Sequence, residues 1–171
     1  MTQNLLDYLK RLCMEHVDFN HNESTDPAVR NLAYFEFDYV KMQESKKRNK
    51  YVLFINKLQG KYIDNRGDFK QDQAFVTATF AMKMGVNKLS LSRQYILECK
   101  TLMDDFLRRI EHDKVNSMDQ TTCKLLKFVD YDEITWEQIE ISNDLWTGVR
   151  VRIPFRYELT SEYNEEKWQL L

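Results

Sequence analysis

Gly148–Leu159 reads GVRVRIPFRYEL, and Val149, Val151, Ile153, Phe155, Tyr157 and Leu159 alternate without a miss against Arg150, Arg152, Pro154, Arg156 and Glu158. Strict period-two alternation marks a β-strand with two unlike faces. Here one face is apolar and the other largely basic. Proline has no N–H to give to a ladder, so a strand of this length containing Pro154 is expected at a sheet edge, or with a bulge at that point. A long open edge invites pairing with another chain.

Upstream of this strand, Ser142, Asn143 and Asp144 predict a turn, and Lys124–Tyr131 and Ile134–Ile141 predict two shorter strands. A helix is predicted from an N-cap at Ser90 or Ser92, because Tyr95, Ile96, Cys99, Leu102, Met103, Phe106, Leu107 and Ile110 fall on one stripe with charged residues opposite. Before it, AFVTATFAM (Ala74–Met82) has strand chemistry that Gly85 ends, and Gly60–Asp68, with two glycines and three Asp or Asn, predicts a turn. Tyr51–Leu58 and Leu32–Tyr39 are two further strands. The charged run Lys41–Lys50 between them predicts a hairpin with a long basic connection. The chain opens with an amphipathic helix over about residues 4–18, carried by Leu5, Leu6, Leu9, Leu12, Cys13, His16 and Val17. The segment DFNHNESTDPAVRN that follows it predicts an irregular loop.

The expected fold class is therefore α+β: an antiparallel or mixed sheet of about five strands with two helices packed on one face, since a helix stripe and a sheet face must cover each other. One domain is expected over residues 1–160, with 161–171 as a C-terminal arm that is polar until Trp168, Leu170 and Leu171. A chain of 171 residues that is 43% hydrophobic can bury a sizeable core. No run approaches the length of a membrane helix, and MTQNLLDYLKRLCMEH does not read as a secretory signal. Production in a cytoplasm, with no membrane partner, is the expectation.

The chemistry-bearing residues are sparse. Three cysteines, Cys13, Cys99 and Cys123, lie far apart and fit neither a disulfide framework nor paired metal ligands. They read as small core hydrophobes. His16, His21 and His112 have no nucleophile or acid in a recognisable pattern beside them. The spacing of His16 and His21 finds no supporting Cys or carboxylate, so no metal is expected. Gly60, Gly67, Gly85 and Gly148 make neither a dinucleotide fingerprint nor a Walker loop, and DNRGD (Asp64–Asp68) lacks the ligands of a calcium loop. No cofactor and no catalytic residue is assigned, and the chain is read as a non-enzyme.

Basic residues are the remaining signal. The net charge is −2, which gives no global attraction to nucleic acid, so any such binding needs a local patch. Lys46, Lys47, Arg48 and Lys50 form one cluster. Arg150, Arg152 and Arg156 project from one face of the last strand at steps of roughly 7 Å, a spacing compatible with phosphates. Glu133, Glu137 and Glu140 on the neighbouring strand offer the competing partner by cross-strand pairing, and pairing of this kind, or between subunits, is the favoured expectation.

The order of helix, strands, long amphipathic helix and a terminal hairpin ending in NDLWTGVRVRIPFRYEL (Asn143–Leu159) resembles the small tail-terminator and neck proteins of tailed bacteriophages, over roughly residues 3–159. The resemblance rests on pattern and on no diagnostic motif. It implies a virion component, made in the host cytoplasm, that closes into a ring of about six copies at the head–tail junction. Such a ring caps the tail tube and docks the neck. Its implied partners are further copies of itself and tail-tube or neck proteins, with DNA passing nonspecifically through the lumen. The Lys41–Lys50 connection and the arm are extensions beyond the simplest members of that group. Under this resemblance the interface candidates are the last strand with Arg150, Arg152 and Arg156, the basic Lys46, Lys47 and Arg48, and the aromatics Trp146, Tyr163 and Trp168, aromatic anchors being dominant in interfaces. Trp146 fits equally well folded onto its own hairpin end.

Two rivals come from other classes. One is an intracellular adaptor that binds its partner by strand addition. The other is a small enzyme or ligand-binding domain with a pocket between sheet and helices lined by Tyr34, Tyr39, Tyr51 and Trp136.

Overall fold

The computed structural model describes residues 2–37, 48–64, 70–84, 90–116, 122, 126–127, 129–139 and 146–158. Helix α1 (Thr2–Glu15) is followed by strands β1 (Leu32–Glu36), β2 (Arg48–Asp64) and β3 (Lys70–Lys83), helix α2 (Ser92–Asn116), a 3-10 turn at Tyr131–Glu133, and strands β4 (Thr135–Ile139) and β5 (Trp146–Glu158). The strands make one five-stranded sheet in the order β1-β2-β3-β5-β4. Only β1 and β2 run parallel, so the fold is α+β with a mixed sheet.

Both helices cover the same face. From α1 come Leu5, Leu6, Leu9, Leu12 and Cys13, and from α2 come Tyr95, Cys99, Leu102, Met103, Phe106 and Ile110. They pack with Leu53, Ile55, Val76, Ala78, Phe80, Val149, Val151, Ile153 and Phe155 in one buried cluster. The period-three-to-four stripes of the helices and the period-two stripe of β5 meet here, as the alternation requires. Phe19, Phe80 and Phe106 lock the layers with mutual edge-on contacts at centroid distances of 5.2–6.2 Å, the geometry that ring quadrupoles favour. A second cluster lies on the other face: Leu32, Phe35, Val52, Phe54, Ala81 and Trp146, with Ile139 packed against it. Neither helix contributes to it.

Four expectations need correction. First, β5 is not an edge strand. It pairs with β3 from Lys83↔Trp146 to Gln71↔Glu158 and with β4 from Ile139↔Gly148 to Thr135↔Arg152. Because β4 is short, Pro154 stands beyond its last pair, where one side of β5 faces no described strand, and the β3 register passes through it without a bulge. Secondly, β1 and β2 do not form a hairpin. They are parallel, with Tyr34↔Leu53 and Glu36↔Ile55. Parallel neighbours cannot be joined by a tight hairpin turn. Thirdly, Gly60–Asp64, the first part of the turn expected over Gly60–Asp68, is the end of β2, paired through Gly60↔Ala74 to Asp64↔Lys70, and 65–68 lie outside the described residues. Fourthly, the described part of Lys124–Tyr131 is not a strand, since Leu126 is helical and Tyr131 opens the 3-10 turn; residues 124, 125 and 128 lie outside the described residues. The Lys46–Lys47 part of the basic connection, the turn at Ser142–Asp144, Tyr39, Cys123 and the arm with Tyr163 and Trp168 lie outside the described residues.

Polar contacts fix the helices to each other and to the sheet. Tyr8 of α1 donates to Asp113 of α2 (3.1 Å), which also receives Arg109 Nε (2.8 Å), and Arg109 reaches back to Glu15 of α1 (2.9 Å). Burial alone would raise the Asp113 carboxyl. Hydrogen bonds from Arg109, His112 and Tyr8 outweigh it and hold the group below its ordinary value. Near the start of α2, Glu98 accepts from Tyr51 (2.7 Å) and Lys50 (3.1 Å) of β2. The hydrogen bond from Tyr51 is the leading reason that its carboxyl is also depressed. His21 is a core histidine: its Nδ1 accepts the backbone N–H groups of Ala33 (3.0 Å) and Tyr34 (3.3 Å) and so caps the start of β1.

Candidate functional site

The face of the sheet away from the helices changes character along the strands. At one end it carries the second apolar cluster, and at the other it opens into a depression of about 570 Å³ lined by Asn56, Lys57, Gln59, Thr77, Thr135, Trp136, Glu137, Arg150 and Arg152.

Strand register explains the lining. In β2 the ladder to β3 slips between Ile55 and Lys57. Such a bulge adds one residue to one strand, so Ile55 and Leu58 both face the helices while Asn56 and Lys57 between them share the other face. Reading across the sheet at that level, Lys57 stands opposite Thr77, Thr77 opposite Arg152, and Arg152 opposite Thr135. The result is a row of cation, hydroxyl, cation and hydroxyl across four strands. The neighbouring row places Thr79 opposite Arg150 and Arg150 opposite Glu137, with the Thr79 hydroxyl donating to Asn56 Oδ1 at 2.6 Å.

The two arginines are held differently. Arg150 Nη1 lies 2.9 Å from Glu137 Oε1, the expected cross-strand pair, and its Nε is buried with no hydrogen-bond partner. Arg152 has no carboxylate partner among the described residues. Its guanidinium carbon sits 3.6 Å from the centre of the Phe75 ring, a cation–π stack that supports the planar group and leaves its N–H fork unengaged by any ion pair. Phe75 is buried beneath it. Lys57 is exposed, and neither it nor Arg152 forms an ion pair among the described residues.

The other candidate residues are distributed elsewhere. Arg156 stands opposite Gln73 in the ladder and Arg48 opposite Leu32, and both are placed by backbone alone. Trp146 is folded onto its own domain: at 4% exposure it belongs to the second cluster with Phe54 and Ala81. Of the three acids expected to pair with the arginines, Glu137 does so, Glu133 lies in the 3-10 turn before β4, and Glu140 is outside the described residues. The pocket suggested for Tyr34, Tyr51 and Trp136 does not form. Tyr34 is on β1 at one edge of the sheet and donates to the Leu6 carbonyl (3.0 Å), whereas Trp136 is on β4 at the opposite edge under Lys100 (5.0 Å).

Among the described residues, no group of three or more His, Cys, Asp or Glu could hold a metal ion, and no helix is long and apolar enough to cross a membrane. His16 is packed edge-on against Phe19 and accepts the Asp18 N–H (3.2 Å). Cys13 and Cys99 are buried free thiols, and burial pushes the Cys99 thiol up to about 12. Neither is poised as a nucleophile. No protein-family model, curated protein or solved structure matches this chain.

Proposed function

We propose that this chain is a structural assembly subunit of the tail-terminator and neck kind, a protein that closes into a ring with copies of itself and docks other tail-tube or neck proteins without turnover. In this reading it acts in a virion after assembly in the host cytoplasm.

The observation that supports it is a three-stranded tongue. Strands β2, β3 and β5 continue to pair beyond the level of Gln59, Phe75 and Pro154, as far as Asp64, Lys70 and Glu158. The described β1 pairs β2 only up to Ile55, and β4 pairs β5 only up to Arg152. Among the described residues the tongue therefore has two open edges, one on β2 and one on β5, and they are different in sequence. A ring needs two unlike, mutually fitting surfaces on each subunit, and strand edges are ready templates for such pairing.

The test is the solution mass of the full chain by light scattering, beside a variant in which Tyr62–Asp72 is replaced by a two-residue turn. A closed oligomer of about six copies that becomes monomeric when the tongue is shortened supports the ring. A full chain that stays monomeric at every concentration overturns it, and leaves the adaptor that receives one foreign strand as the better account.

A further inference from the structure

From the row Lys57–Thr77–Arg152–Thr135 we infer that the open sheet face binds the sugar–phosphate backbone of a single nucleic-acid strand, without regard to base sequence. Neighbouring strands of a sheet are about 4.8 Å apart, and residues two apart along a strand about 6.7 Å. Lys57 and Arg152 thus stand on either side of Thr77 across the sheet, and Arg150 lies one step along β5. Cations in this layout can follow a run of phosphates, with hydroxyls and the Asn56 and Gln59 amides as further donors around the depression.

Three features fit a phosphate backbone. Arg152 presents a fork braced by an aromatic ring, the geometry that engages phosphate oxygens in pairs. The Nε–H of Arg150 is a buried donor with no acceptor. Phe75 is covered by Arg152, so its ring offers no bare face on which a base could stack, and the exposed Trp136 of the lining already carries Lys100 over its ring at 5.0 Å, so recognition rests on the backbone. The single carboxylate among the residues lining the depression, Glu137, is tied to Arg150. Lys57, Arg150 and Arg152 therefore leave the site positive on a chain whose overall charge is −2.

The experiment is fluorescence anisotropy of a labelled, mixed-sequence DNA single strand titrated with the whole chain at several salt concentrations. Unlabelled duplex and poly-L-glutamate of matched charge serve as competitors. Binding is expected to weaken as salt rises. In Lys57→Gln/Arg152→Gln it is expected to weaken at least tenfold, with a salt slope lower by about 1.4, the counterions of two single-strand phosphate contacts. Glu137→Gln, which frees Arg150, is expected to tighten binding severalfold, a gain that a misfolded protein cannot produce. Three results would overturn the assignment: no binding at low salt, variants that bind as the parent does, or displacement by poly-L-glutamate as effective as by unlabelled DNA. The last would assign the face to an acidic protein segment.

Discussion

Arg152 stands over Phe75, its guanidinium carbon 3.6 Å from the ring centre, on strands that are direct neighbours in the sheet. The two residues are diagonal partners, since Phe75 is opposite Pro154 and Arg152 opposite Thr77. Diagonal positions are within reach of long and aromatic side chains. A double-mutant cycle with Phe75→Leu and Arg152→Gln, read by urea unfolding, should give a coupling of about 0.5–1 kcal/mol. Additive effects would mean that the stack does not stabilise the fold.

Gly148 stands where the adjoining strand leaves no room for a side chain. A β-carbon there would meet the Phe80 carbonyl oxygen and come within 2.9 Å of Ala81 Cα, and the residue holds φ at +156°. Both neighbours are backbone of the adjoining strand, so neither can swing aside. Gly148→Ala should cost about 2–4 kcal/mol through strain and overpacking. For a domain of this size that lowers the thermal midpoint by roughly 5–15 °C. A midpoint within 2 °C of the parent would show that β3 and β5 can part locally.

Asp113 makes the join between α1 and α2 sensitive to acid. Its carboxyl is depressed in the folded chain, so its contribution is complete above the ordinary carboxylate value and is lost as pH falls through the lower folded value. Asp113→Asn should destabilise the protein at pH 7 by about 1–3 kcal/mol, because Arg109 and Tyr8 lose a charged acceptor. The same variant should flatten the fall in stability between pH 5 and pH 2, measured by urea midpoints. Glu98 is depressed as well, so part of that fall should remain.

Cys13 on α1 and Cys99 on α2 report on the docking of the two helices onto the sheet. Both are buried and burial raises both thiols, so neither presents thiolate to solvent while the helices stay docked. Titration with Ellman's reagent at pH 8 should find these two thiols silent in the native protein and reactive in urea. Rapid labelling of Cys13 alone would instead identify α1 as a unit that opens by itself.

Local pattern carried much of this fold and little of its pairing. The stripe from Tyr95 to Ile110 and the alternation from Val149 to Phe155 are each visible in the residues, because burial on one side imposes its period directly. The exchange of β4 and β5 in the sheet order left no such mark. Pro154 pointed to an edge, and the edge exists, but only past the end of β4. The parallel pairing of β1 with β2 was equally hidden, since a hairpin and a crossover can join the same two apolar runs. Gly60 was read as a turn because its side chain says nothing about its partner Ala74. Val129 and Leu126 are buried like strand residues yet belong to a helical and irregular segment, a short apolar run being ambiguous in period.

For the candidate site, Arg150, Arg152 and Glu137 were readable from spacing. Lys57 was not, because a bulge shifts it onto their face. Phe75 was not, because it lies under Arg152 only through a diagonal that register alone creates.

A ribosome delivers the strands as β1, β2, β3, β4 and then β5, yet the sheet is laid out with the fifth between the third and the fourth. Until Trp146–Glu158 has been synthesised, Val76, Ala78 and Phe80 belong to a strand with one bare side, and β4 has no neighbour at all. The nascent chain can form its helices and the β2–β3 pair early, but it cannot close the sheet. Premature termination before Trp146 would therefore yield an adhesive fragment rather than a smaller working domain, and a cell making this protein has reason to keep chaperones on it until the last strand is inserted.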